Sequence, residues 1–99
     1  MSAIDYHELL KKIVAKIKKE PREYRGYFDA VDCLVKWGKT DVKTPYAYAD
    51  KVLQMLNRVL SVTVKEQDYR EAENYRQLRY ALLKWSAPKN FDHYMQALE

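Results

Sequence analysis

Two glycines and three prolines punctuate ninety-nine residues, and the stretches between them repeat apolar residues at helical spacing. Such a chain is constrained to fold as helices. Ser2 or Asp5 is placed to cap a first helix that runs to about Lys19, where Glu20-Pro21 ends it. Tyr6, Leu10, Ile13 and Ile17 form its apolar stripe. A second helix covers about Glu23–Trp37, with Tyr24, Tyr27, Phe28, Val31, Leu34 and Val35 as its buried stripe. Gly38 follows where a left-handed C-terminal residue suits glycine.

Thr44-Pro45 starts a third helix, threonine as N-cap and proline at the first position, reaching to about Thr63. Its wide apolar face, Tyr48, Ala49, Val52, Leu53, Leu56, Val59 and Leu60, predicts the most buried helix. Val62-Thr63-Val64 favours a strand locally, but three residues with no partner strand build no sheet. A fourth helix covers about Asp68–Trp85 and stops at Ser86-Ala87-Pro88. A short final helix from about Asn90 uses Phe91, Tyr94, Met95 and Leu98. The predicted fold is all-α: one domain over residues 1–99, a compact antiparallel bundle of four main helices plus a short C-terminal one. Tyr27, Leu34, Lys36 and Trp37 recur 48 residues later as Tyr75, Leu82, Lys84 and Trp85, an echo best ascribed to chance.

The charge is unevenly distributed. Residues 1–25 carry net +3, residues 26–89 again +3, and the last ten only Asp92 and Glu99. Lys11, Lys12, Lys16, Lys18 and Lys19 crowd the first helix. At 100° per residue, Lys12, Lys16 and Lys19 share one flank of its apolar stripe, and Lys11 and Lys18 share the other. A helix of this kind docks on a core while offering ammonium groups to a polyanion. The plainer account is a solvated face supported by a Glu8–Lys12 pair. On the second helix Arg25, Asp29, Asp32 and Lys36 form a strip whose charges cancel, so no nucleic acid is expected there. On the fourth, Tyr69, Glu73, Arg76 and Tyr80 interleave a guanidinium with phenol rings, a surface suited to stacked bases or to helix packing. Arg79 and Glu71 lie close to the apolar stripe and are expected to face another helix or subunit. Lys39 and Lys43 precede the amino end of the third helix, whose free amides attract anions.

Catalysis finds no support in these residues. His7 and His93 lie far apart in sequence without a partner carboxylate, and no glycine-rich phosphate loop occurs. Cys33 is alone, so an intramolecular disulfide or a multi-cysteine metal centre is ruled out. No cofactor, metal or small-molecule substrate is expected. The expected setting is reducing and cytoplasmic, without a membrane-spanning segment.

A basic, tyrosine-rich helical domain with Lys12, Lys16, Lys19, Arg76 and Arg79 and the helix end Ala81-Leu82-Leu83-Lys84-Trp85 resembles, in outline, the small subunits of CRISPR Cascade-type effector complexes. The resemblance implies a non-catalytic subunit that stacks in copies and holds DNA or RNA backbone. The resemblance and the charge pattern together place the expected nucleic-acid contacts at Lys12, Lys16, Lys19, Arg76 and Arg79, with Lys39 and Lys43 added from the loop before the third helix. The alternative is a protein-interaction module or regulator whose lysines only keep it in solution.

Overall fold

Asp5 begins the first helix: its carboxylate accepts the amide of Glu8 at 3.1 Å, filling one of the amino-terminal donors. In this computed structural model the backbone of residues 4–41 and 43–98 is described, with side chains up to residue 86. The helices are α1 (Tyr6–Lys19), α2 (Tyr24–Gly38), α3 (Thr44–Lys65) and α4 (Tyr69–Leu98). Among the described residues there is no strand, and Val62-Thr63-Val64 continues α3 as helix. Helix α2 is central and touches α1, α3 and α4, while α3 also packs on α4 and, among the described residues, α1 shares no close backbone contact with α3 or α4.

Two corrections concern helix ends. Gly38 is the last residue of α2 and its φ is negative. Its value lies in proximity: a Cβ there would meet the Trp85 ring at 2.8 Å. The expected stop at Ser86-Ala87-Pro88 does not divide the fourth helix, which the backbone carries on to Leu98. Proline withholds one amide and crowds one carbonyl of an existing helix. By then α4 is held by the burial of Leu82 and Ser86 and by the stacking of Trp85 on Tyr46 at 4.4 Å. The apolar side chains expected of a separate final helix, Phe91, Tyr94, Met95 and Leu98, lie outside the described residues.

The α2 stripe is rotated from its expected position. Tyr24 and Phe28 are 36% and 41% exposed, whereas Ala30 and Cys33 are buried. Small residues let α1 come close, and a Cβ on Gly26 would meet Ile17 Cγ1 at 2.9 Å. The large rings are displaced to the flank, where Arg25 lies 5.5 Å from the Phe28 ring. Helix α3 has the broad buried face its sequence predicts: Ala49, Val52, Leu53, Leu56, Val59 and Leu60 are all buried.

Two tyrosines at the echoed positions join the helices at one end. Tyr27 and Tyr75 meet edge to face at 5.4 Å. The Tyr27 hydroxyl donates to the Pro21 carbonyl at 2.7 Å and that of Tyr75 to the Arg22 carbonyl at 3.0 Å. Both therefore hold the α1–α2 connection. The Arg22 side chain reaches from it to the α3–α4 connection, donating to Glu66 at 2.6 Å and Glu71 at 2.8 Å. At the other end Trp37 stacks on Tyr48 at 5.7 Å, with His7 beside both. Glu71, expected to face another helix or subunit, is thus satisfied within the chain, by Arg22 and by Tyr75 of its own helix.

Arg22, chiefly through its hydrogen bonds, holds the Glu71 carboxyl below its ordinary value. A lowered folded-state value means stabilisation present above the unfolded value, near 4.3, and lost as the pH falls through the folded one. Glu71→Gln removes that dependence. Its melting temperature is expected to lie below that of the unaltered chain at neutral pH and to converge with it on acidification below about pH 4. Parallel thermal melts at several pH values check this, and a constant gap would remove Glu71 as a source of acid sensitivity.

Candidate nucleic-acid interface

Helices α1 and α3 carry eight lysines and arginines and two acids, net +6 in a chain whose total is +4. The helices run in the same direction on either side of a groove, meeting through side chains and without close backbone contact. His7 of α1 meets Tyr48 of α3, with Nε2 3.1 Å from the phenol oxygen. Further along, Lys11 and Lys18 of α1 and Lys51 of α3 line one depression of about 260 Å³. Lys18 also enters a second, of about 460 Å³, whose α3 wall includes Met55, Arg58 and Val62. The two form a groove in which Lys11 is level with Lys51 and Lys18 with Arg58.

Seven residues separate the two cations on each wall, about 10 Å along a helix. The floor is apolar, with Leu10, Val14, Ile17, Val52 and Val59. No carboxylate lines either depression. Lys11 has Glu8 at 3.4 Å, an exposed pair worth little. Among the described residues Lys18, Lys51 and Arg58 make no ion pair or side-chain hydrogen bond. Burial raises the Tyr27 phenol, while the positive charges of Arg58 and Arg22 oppose the shift. Of these two guanidiniums at the lower end of the groove, Arg58 is thus the unpaired one, since Arg22 is already engaged by Glu66 and Glu71.

The seven residues predicted from sequence do not share this site. Lys12, Lys16 and Lys19 are exposed on the other flank of α1. Lys39 and Lys43 flank the α2–α3 connection at the Trp37 end. Asp41, not Thr44, caps α3: one of its oxygens accepts the amides of Lys43 and Thr44, each at 2.9 Å. Those backbone bonds hold the Asp41 carboxyl below its ordinary value. The helix terminus expected to attract an anion therefore already holds the chain's own.

Arg76 and Arg79 belong to α4, which α1 does not touch. Arg76 pairs with Glu73 at 2.6 Å on its own helix, beside the exposed Tyr69 and Tyr80. Arg79 Nη1 donates to Asn57 Oδ1 of α3 at 3.0 Å. It thus faces another helix, one of the two expected alternatives, through a neutral partner. Because that bond is exposed, Arg79→Met is expected to change stability by no more than about 0.5 kcal/mol. A denaturant titration tests this, and a loss above about 2 kcal/mol would show a buried role. The α2 strip is as expected, with Arg25–Asp29 at 3.1 Å and Lys36–Asp32 at 3.0 Å.

Sequence spacing offered a signal for the missed residues. Lys51, Arg58 and Lys65 recur every seventh position along one flank of α3, as Lys11 and Lys18 do on α1. Chemistry elsewhere is sparse. Cys33 is buried and its thiol pushed upward, chiefly by burial. Among the described residues no group of histidine, cysteine and carboxylate side chains forms a metal site, and no helix is long and apolar enough to cross a membrane. The chain matches no protein-family model, no curated protein and no solved structure.

Proposed function

We propose that this chain is a non-catalytic subunit of a cytoplasmic nucleoprotein assembly, of the kind represented by the small subunits of CRISPR Cascade-type complexes. In this reading it is a compact antiparallel helical bundle that holds DNA or RNA by its backbone and contacts neighbouring protein subunits, possessing no catalytic residue, metal or cofactor. The observation that supports it is the α1–α3 groove, where Lys11, Lys18, Lys51 and Arg58 converge without a lining carboxylate. Cations so placed take phosphates and release their counterions, which yields affinity without base preference. Lys12, Lys16 and Lys19 add positive charge on the outer flank of α1 and strengthen the encounter rather than the grip.

The test is a titration of labelled single-stranded and duplex oligonucleotides of unrelated sequence at several salt concentrations. The expected result is sequence-independent binding, with log K falling linearly in log salt at a slope of magnitude about 2–4. Absence of binding at low salt would overturn the reading. It would favour the second one, a protein-interaction module, which draws on the exposed Tyr69 and Tyr80 beside the paired Arg76.

A further inference from the structure

The groove has a property that phosphate binding leaves unused: between its two pairs of cations the floor is apolar. A backbone phosphate neutralises the rim and leaves the half-buried Val14 and Met55 and the exposed Val62 uncovered. An occupant matched to both parts carries an apolar helical stripe and carboxylates about 10 Å apart.

This chain contains such a segment. Residues 90–99 hold no lysine or arginine, and their two acids, Asp92 and Glu99, are seven positions apart. Phe91, Met95 and Leu98 recur beside them at helical spacing. The acid spacing equals that of Lys11 to Lys18 and of Lys51 to Arg58. Several other carboxylates are already paired: Asp29 and Asp32 on α2, Glu66 and Glu71 by Arg22, Glu73 by Arg76. The backbone of α4 remains helical to Leu98, and Trp85 already lies against Tyr46 in the first turn of α3. The rest of α4 therefore runs past the start of α3, and no described residue of α4 lines the groove. A chain does not reach its own groove by this route, so the match is to another molecule.

We propose that the α1–α3 groove receives residues 91–99 of a second copy of this chain, and that nucleic acid competes with it there. The docking stands on charge and spacing alone, whereas the competition rests on the function proposed above. The α3 wall, Lys51 and Arg58, which make no ion pair of their own among the described residues, takes Asp92 and Glu99, and the apolar stripe covers the floor. The contact joins residues 91–99 of one copy to the side of the next, so it is heterologous and builds a ring or an open row.

The test is sedimentation of the full chain over a range of concentrations at low salt, with helicity checked for each variant. The unaltered chain is expected to self-associate. D92K/E99K and K51E/R58E should each weaken the association about tenfold or more, as loss and reversal of two ion pairs imply. Combining all four changes in one chain should restore most of it. A short single-stranded oligonucleotide should dissociate the copies, and D92N/E99Q should bind that oligonucleotide more tightly than the unaltered chain. A chain that remains monomeric, or an association indifferent to D92K/E99K, overturns the docking even if the oligonucleotide binds. Association that follows the charge swap without any oligonucleotide binding supports the docking and overturns the competition and the nucleic-acid reading.

Discussion

Replacement of Tyr75 by alanine is expected to destabilise the chain by about 3–5 kcal/mol, a large part of the stability of a domain this size. Tyr75 is fully buried, and its ring meets those of Tyr24 and Tyr27 at 5.8 and 5.4 Å. Its hydroxyl lies 3.0 Å from both the Arg22 carbonyl and the Glu71 carboxylate. Burial first, then the Glu71 bond, push the phenol well above its ordinary value, so it stays protonated and a donor. One side chain therefore fills the core and ties α4 to the α1–α2 connection. Truncation leaves a cavity and frees that connection together. Tyr75→Phe keeps the ring, loses only the hydroxyl, and should cost about 1–2 kcal/mol. Each kcal/mol corresponds to about 4–8 °C of melting temperature, so melts followed by circular dichroism separate the two variants. Equal losses for Phe and Ala would place the stabilisation in the hydroxyl, contrary to the packing described.

Features decided within one or two turns were legible in the sequence. The Asp5 cap, the cancelling Arg25–Asp29 and Asp32–Lys36 pairs, and the broad buried face of α3 depend on neighbours three or four residues away. Features decided by a distant helix were not. Tyr24 and Phe28 look like core residues on a helical wheel, yet the close approach of α1 over Gly26 selects the small side of α2. Gly38 has a common reason to end a helix and a rarer one, the Trp85 ring, which lies 47 positions away in sequence. Thr44 looked like the cap because it precedes proline, but Asp41 reaches both exposed amides from the preceding turn. Pro88 is a stop signal that the packing of Leu82, Trp85 and Ser86 carries α4 past.

The candidate site shows the same division. The lysines of α1 were conspicuous, and their separation into two flanks follows from helix geometry alone. Which flank meets other cations depends on α3, forty positions further along. The larger cluster, Lys12, Lys16 and Lys19, drew attention by number. The structure instead opposes Lys11 and Lys18 to Lys51 and Arg58, because α1 and α3 run in the same direction on either side of the groove. Arg76 and Arg79 were prominent for the same reason as Lys12, and each has a local partner.

The most direct measurement of this account compares two charge-neutralised variants for single-strand binding as salt is raised. K11Q/K18Q/K51Q/R58Q removes the groove cations and K12Q/K16Q/K19Q removes the outer flank. All seven positions are exposed, so both variants should fold and melt like the unaltered chain. Without its four phosphate-neutralising cations, the groove variant should shed up to about 2.8 from the slope of log K against log salt, and its affinity near physiological salt should fall by about a hundredfold. The outer-flank variant should change the slope by less than about one. A groove variant that keeps its slope, or an outer-flank variant that loses more, would contradict the assignment of the α1–α3 groove as the surface that holds nucleic acid.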